Sequence, residues 1–187
     1  MRKHTITISV YLIIMISLLL TSDIVQAQSN TDSHQISISI SEIAIIDVFN
    51  DDTLTFTVLP PLLPGNPPRI NPQIDFSKRL FYTSIIPSLG ITRRVTVKLN
   101  PDLPDGISIR LLALPPFGGT GNCGQSVMEF VDLSITEQDI LYNIGSCWTG
   151  RTNGSILIYS AGIDPASFDG IYAQNKTVSV IYTLTDK

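Results

Sequence analysis

The residues from Thr177 to Leu184 alternate without a break. Val178, Val180, Tyr182 and Leu184 fall on one side, and Thr177, Ser179, Ile181 and Thr183 on the other. A period of two, carried by β-branched and aromatic residues, predicts a half-buried strand; a helix would repeat near 3.6. Before it, Ile156 to Tyr159 is a short apolar run bounded by Gly154 and Gly162, which predicts a buried strand. Asp164 to Gly170 lies between the two and carries Pro165 and Asp169-Gly170, ordinary turn chemistry.

The same grammar runs through the rest of the chain. Gln35 to Ile46 alternates Ile36, Ile38 and Ile40 with serines, which predicts a first strand. Such a segment also fits an N-terminal donor strand that completes a neighbouring subunit. Leu54, Phe56 and Val58 form a second alternating set. Arg79 to Ile86, Ile91 to Leu99, Ile107 to Leu114 and Ser126 to Leu133 read as further strands. Val95, Val97 and Leu99 share one face, as do Ile107, Ile109, Leu111 and Ala113. Arg93 and Arg94 are expected on a solvated edge that discourages aggregation. Ile135 to Ile144 reads as irregular chain leading into a strand. Asn100 to Gly106 is a turn, and Leu59 to Pro72, with six prolines, is an irregular crossover or a recognition loop. Pro115 to Gly124 is a glycine-rich loop, not a phosphate cradle, since no Lys-Ser/Thr and no helical pattern follow it. About nine short strands with frequent turn signals predict an all-β fold, an antiparallel Greek-key β-sandwich of immunoglobulin-like or pilin-like type.

The N-terminus sets the compartment. Arg2 and Lys3 precede an apolar run, Val10 to Leu20, too short for a comfortable membrane span. Val25-Gln26-Ala27 fits the small-residue cleavage rule. Residues 1–27 are therefore expected to be a cleaved signal peptide, 28–34 a flexible start and 35–187 one domain, with no transmembrane segment left after cleavage. The expected location is secreted, periplasmic or on a bacterial cell surface. In an exported chain the only two cysteines, Cys123 and Cys147, are expected to form a disulfide, worth roughly 3–4 kcal/mol in the chain-entropy view.

Charge and histidine content narrow the function. Cleavage removes Arg2, Lys3 and Asp23, leaving a net charge one unit more negative than the −4 of the full chain. An acidic, charge-poor chain does not suit a nucleic-acid partner. After cleavage the single histidine is His34, in the flexible start, so a Ser-His-Asp or Cys-His device lacks a base. Glu129 has no specific aspartate to make a glycosidase pair. The residues point to no cofactor, no catalytic set and no metal centre. Asp47, Asn50, Asp51 and Asp52 offer oxygens but lack the order of a calcium loop. Trp148, the only tryptophan, is expected in the core or against the disulfide, with a ligand platform as the other reading. Tyr142 and Tyr172 are further candidate ligand contacts.

Several short motifs add a resemblance. Ile36-Ser37-Ile38, Glu42 to Asp47, Tyr82 to Ser84, Arg93 to Val97, Leu103 to Ile107, Ile144 to Gly150 and Val180 to Asp186 together resemble a group of small, uncharacterised secreted β-sandwich proteins of Bacteroidetes-type bacteria. More distantly they are similar to pilin-like subunits with an immunoglobulin fold. That resemblance implies export, a sandwich and a surface or fibre protein. With the donor-strand reading of the N-terminal segment and no catalytic set, the expectation is a non-enzymatic structural or adhesive subunit whose partner is another copy, through strand addition. A surface glycan or protein, bound by an extracellular carbohydrate- or ligand-binding module, is the alternative. It supplies no catalytic residues.

Overall fold

The computed structural model describes Met15 and residues 32–187. Apart from Met15, the expected signal peptide lies outside the described residues. The chain divides into two units, Met1–Ser39 and Ile40–Lys187. In the first, residues 32–39 are exposed throughout and belong to no strand. Among the described residues, every sheet lies in the second.

The strands in chain order are β1 (Ile43–Phe49), β2 (Thr57–Leu59), β3 (Arg69–Asn71), β4 (Ile74–Ile85), β5 (Arg93–Asn100), β6 (Ile107–Ala113), β7 (Thr120–Gly121), β8 (Gln125–Ser126), β9 (Val131–Asp132), β10 (Gln138–Ile144), β11 (Cys147–Trp148), β12 (Ser155–Ile163) and β13 (Ser179–Asp186). Every pairing is antiparallel. The spine of the larger sheet is β4. One of its edges pairs with β1; the other pairs with β12 along its first half and β11 along its second. Beyond β12 come β6 and then β9, and beyond β11 comes β7. The smaller sheet has the order β13-β5-β10-β8, and β2 and β3 form a separate ribbon.

Alternation explains why the two sheets share one core. Leu80, Tyr82, Leu111 and Leu157 point inward from the larger sheet, and Val95, Val97, Leu99, Leu141 and Ile144 from the smaller. Most of their neighbours in sequence are less buried, but Thr96 on β5 is buried too, and β10 breaks the alternation: Ile140 and Leu141 are both in the core, where the pairing with β5 shifts register. Each fully buried Leu or Ile contributes about 1.5–3 kcal/mol. Among the described residues no helix is long and apolar enough to cross a membrane.

Several local expectations change. The first strand begins at Ile43, so Ile36, Ile38 and Ile40 lie outside the sheets. Leu54 and Phe56 pack half-buried on the core without forming a strand. Ser126 to Leu133 is not one strand. It crosses from the smaller sheet to the larger, and it breaks at Met128, whose φ is 59° and whose N–H donates to Ser126 Oγ at 2.9 Å. Asp164 to Gly170 closes as a 3₁₀ turn, Pro165–Gly170, with the Asp164 carboxylate accepting from Ala166 N–H at 3.0 Å. Arg93 is not on a solvated edge: it is 1% exposed.

The two outer faces differ in character. On the smaller sheet Arg94 pairs with Asp139 at 3.0 Å and Lys98 with Glu137 at 2.9 Å, a solvated surface. On the larger sheet Ile45, Phe49, Phe81 and Trp148 face outward instead, against the usual polar-out pattern of an antiparallel sheet.

Candidate functional site

Three features stand out against this frame. The first is the outer face of β1, β4 and β11. Cys147 is buried, and consecutive strand residues point to opposite faces. Trp148 must therefore turn outward, and it is 55% exposed. The expectation of a core or disulfide-packing tryptophan is thus corrected, and the parity of Cys147 and Trp148 was the signal for it. Trp148 lies in register with Thr83 on β4, and Thr83 with Ile45 on β1. One row along, Asp47 faces Phe81. The Phe81 ring meets Phe49 at 6.0 Å between centroids, tilted by 57°. A trough of about 390 Å³ runs between Ile45, Asp47, Phe81, Thr83 and Trp148, bordered also by Gly150 and Arg151. Gly154 lets the Phe81 ring settle: a Cβ there would land on the ring and on the Leu80 carbonyl.

The second feature is a buried latch. Arg93, the first residue of β5, donates through Nε to Asp186 Oδ1 at 2.8 Å. Its Nη1 donates to Ser84 Oγ and to the Ile85 carbonyl, each at 3.2 Å, and to the Ile43 carbonyl. Its Nη2 donates to Glu42 Oε1. One guanidinium thus ties the start of β1 to the end of β13. Five donors in a planar fork suit this task, and a lysine would not reproduce it. Next to the latch the sandwich is open. The inward residues of β1 are Ala44, Ile46 and Val48, and of these Ala44 is exposed and the others only half-buried. The edge strand of the facing sheet is β13, and among the described residues nothing pairs with its outer edge.

The third is the cysteine pair. Gly121 on β7 is in register with Cys147 on β11, which brings Cys123 alongside. Gly121 has φ 87°, and a Cβ there would overlap the Ser146 carbonyl. Both cysteines are free thiols, near one another but not at bonding distance, so the expected disulfide is not formed in this structure, and Cys123 Sγ donates to the Thr120 carbonyl at 3.8 Å. Burial, and then Cys123 beside it, pushes the Cys147 thiol well above its usual range. A thiol held protonated is a poor nucleophile and a poor metal ligand. Burial and the two neighbouring thiols likewise raise the Tyr82 phenol, whose hydroxyl donates to the Cys123 carbonyl at 2.5 Å.

The other candidates do not converge. Tyr142 is half-buried on β10 of the smaller sheet, and Tyr172 stands exposed after the 3₁₀ turn, so neither shares a face with Trp148. Among the described residues no group of three acidic, histidine or cysteine side chains gathers to hold a metal. Instead, the Asn50 and Asp52 main-chain carbonyls accept from the buried Lys78 ammonium. Glu129 is exposed in a loop, and His34 is exposed near the N-terminus. The proline-rich segment forms the β2–β3 ribbon and one wall of a cleft of about 910 Å³ against the end of β12 and Phe168. No family model, no curated protein and no solved structure matches the chain.

Proposed function

We propose that the chain is a non-enzymatic, pilin-like structural or adhesive subunit that assembles with copies of itself by strand addition. One observation carries this reading. Gln35 to Ile40 has the alternation of a strand, yet its isoleucines are exposed, Ile38 by 81%, and among the described residues it has no strand partner. Leaving three isoleucines in water is unfavourable, and pairing with a second chain removes that penalty.

The open side of the sandwich supplies an acceptor. A strand added to the outer edge of β13 would face Ala44, Ile46 and Val48 of β1. Those residues repeat every two positions, about 6.7 Å along a strand, and so do Ile36, Ile38 and Ile40. The donor isoleucines of one copy would cover the half-exposed row of the next, with the serines outward. In this reading the fold is Greek-key and immunoglobulin-like, and the crossings from β4 to β5, β5 to β6 and β12 to β13 between the sheets support it. The reading also takes residues 1–27 as a cleaved export signal and the protein as secreted, periplasmic or surface-exposed. There Cys123 and Cys147 pass two electrons and two protons to a disulfide-exchange oxidant and become the expected disulfide.

Size-exclusion chromatography and electron microscopy of residues 28–187 test this. The expected result is a ladder of oligomers that Ile38→Asp collapses to monomer, with a synthetic peptide of residues 35–42 raising the Tm of that variant. A monomeric parent whose Tm ignores the peptide overturns the proposal.

A further inference from the structure

We propose that the trough beside Trp148 is a binding site for a neutral sugar ring, carried on the outer face of the larger sheet. This inference does not depend on strand addition, which uses the inner row of β1 and the edge of β13.

Three requirements single out the ligand class. The floor is apolar and flat: Ile45 is 62% exposed, and the exposed Trp148 indole stands across Thr83 from it in one cross-strand row. Two charged residues of opposite sign, Asp47 and Arg151, stand exposed at the rim of the same trough, whose own surface is almost wholly apolar. Neither makes an ion pair among the described residues; the pairs that do form lie at the latch and on the smaller sheet. A partner that reaches from the floor to the rim meets an apolar surface below and unpaired polar groups at its edge, so it gains from having both an apolar face and hydrogen-bonding groups around it. A pyranose satisfies all three conditions. Its C–H face lies on the indole, and its hydroxyls donate to a carboxylate and accept from a guanidinium. One acid and one base at the rim leave no net charge to match, hence a neutral sugar. The volume, about 390 Å³, lies at the small end of the ~300–1,000 Å³ range of ligand sites and suits one or two rings.

The contrast with the opposite face supports a built site. The smaller sheet presents paired charges to solvent, whereas the larger presents an unpaired acid and base beside an exposed indole. Gly150, with φ 75° and open space where a Cβ would stand, leaves the rim clear.

Trp148 is the only tryptophan, so its emission reports on this site alone. The probes are cellotriose, maltotriose, mannotriose and chitotriose, titrated into residues 28–187, with oligogalacturonate as an acidic arm. At least one neutral trisaccharide is expected to shift the emission, with half-saturation on the order of 1 mM, as befits a site covering one face of a ring. Saturation-transfer NMR with the same sugar is expected to lose its signal in Trp148→Ala, to keep it in Tyr172→Ala, and to show about tenfold weaker binding in Asp47→Asn. Trp148→Ala is expected to leave the Tm nearly unchanged. No response to any neutral probe at ~10 mM, tenfold above the expected half-saturation, overturns the proposal, as does binding of the acidic arm alone. Finding that Ile45→Lys dissociates a dimer that ignores every sugar also overturns it, and assigns the face to a second copy.

Discussion

At the scale of the residue, Arg93 outweighs the other charges. Exposed ion pairs such as Lys98–Glu137 contribute little, about 0–1 kcal/mol. Arg93 differs because its side chain is buried and its donors serve main-chain carbonyls with few other partners. Arg93→Met keeps most of the volume but strands the Ile43 and Ile85 carbonyls and the Ser84 hydroxyl, while the half-exposed Glu42 and Asp186 rehydrate. We expect a loss of about 2–4 kcal/mol, read as a lower urea midpoint with an unchanged m value. A variant within about 0.5 kcal/mol of the parent would mean that the latch is ornamental. No local pattern marked this residue: Arg93-Arg94 reads as a charged edge because sequence parity cannot show that β1 and β13 close over one of the two.

At the scale of the element, β7 and β11 are only two residues each, yet they align the cysteines. Oxidation there would clip the glycine-rich loop to β11, the strand beside the spine of the larger sheet. Material from an oxidising compartment is expected to weigh two hydrogens less than the reduced chain and to show no thiol to alkylating reagents until it is reduced. Full alkylation of native, exported protein would refute the link. The long strands were legible because alternation states both their existence and their facing: Val95, Val97, Leu99, Leu111 and Tyr182 lie where period two puts them. The misreadings share a cause. Ile36, Ile38 and Ile40 carry a strand pattern without a partner in the same chain, and Ser126 to Leu133 carries one across a passage between sheets. Pairing is a property of two segments, and alternation describes only one. The candidate site was half legible: Trp148 was visible, but Asp47, Phe81 and Arg151 come to it from distant positions through strand register.

At the scale of the whole molecule, the packed core holds tyrosines that resist ionisation. Burial pushes the Tyr159 phenol up to about 12, with its hydrogen bond to Tyr182 opposing the shift, and burial raises Tyr182 and Tyr82 as well. In the unfolded chain these groups lose their protons near 10. Above that pH the unfolded state binds fewer protons than the native one, so stability falls as pH rises. Below about 10 these groups are protonated in both states and add no slope. The Tm is therefore expected to decline through the window from 10 to 12, with tyrosinate absorbance at 295 nm appearing together with unfolding. Absorbance that rose before the loss of circular dichroism would contradict this picture of the core.

The Arg93 latch has a topological consequence. Because one side chain grips residues 42 and 186, the two ends of the Ile40–Lys187 unit meet at one pole. A short tether could join them there, and new termini could open at the exposed Pro87–Gly90 bend. Such a circular permutant would conserve the sandwich while lacking a free leading segment, separating the stability of the folded body from whatever that segment does for its neighbours.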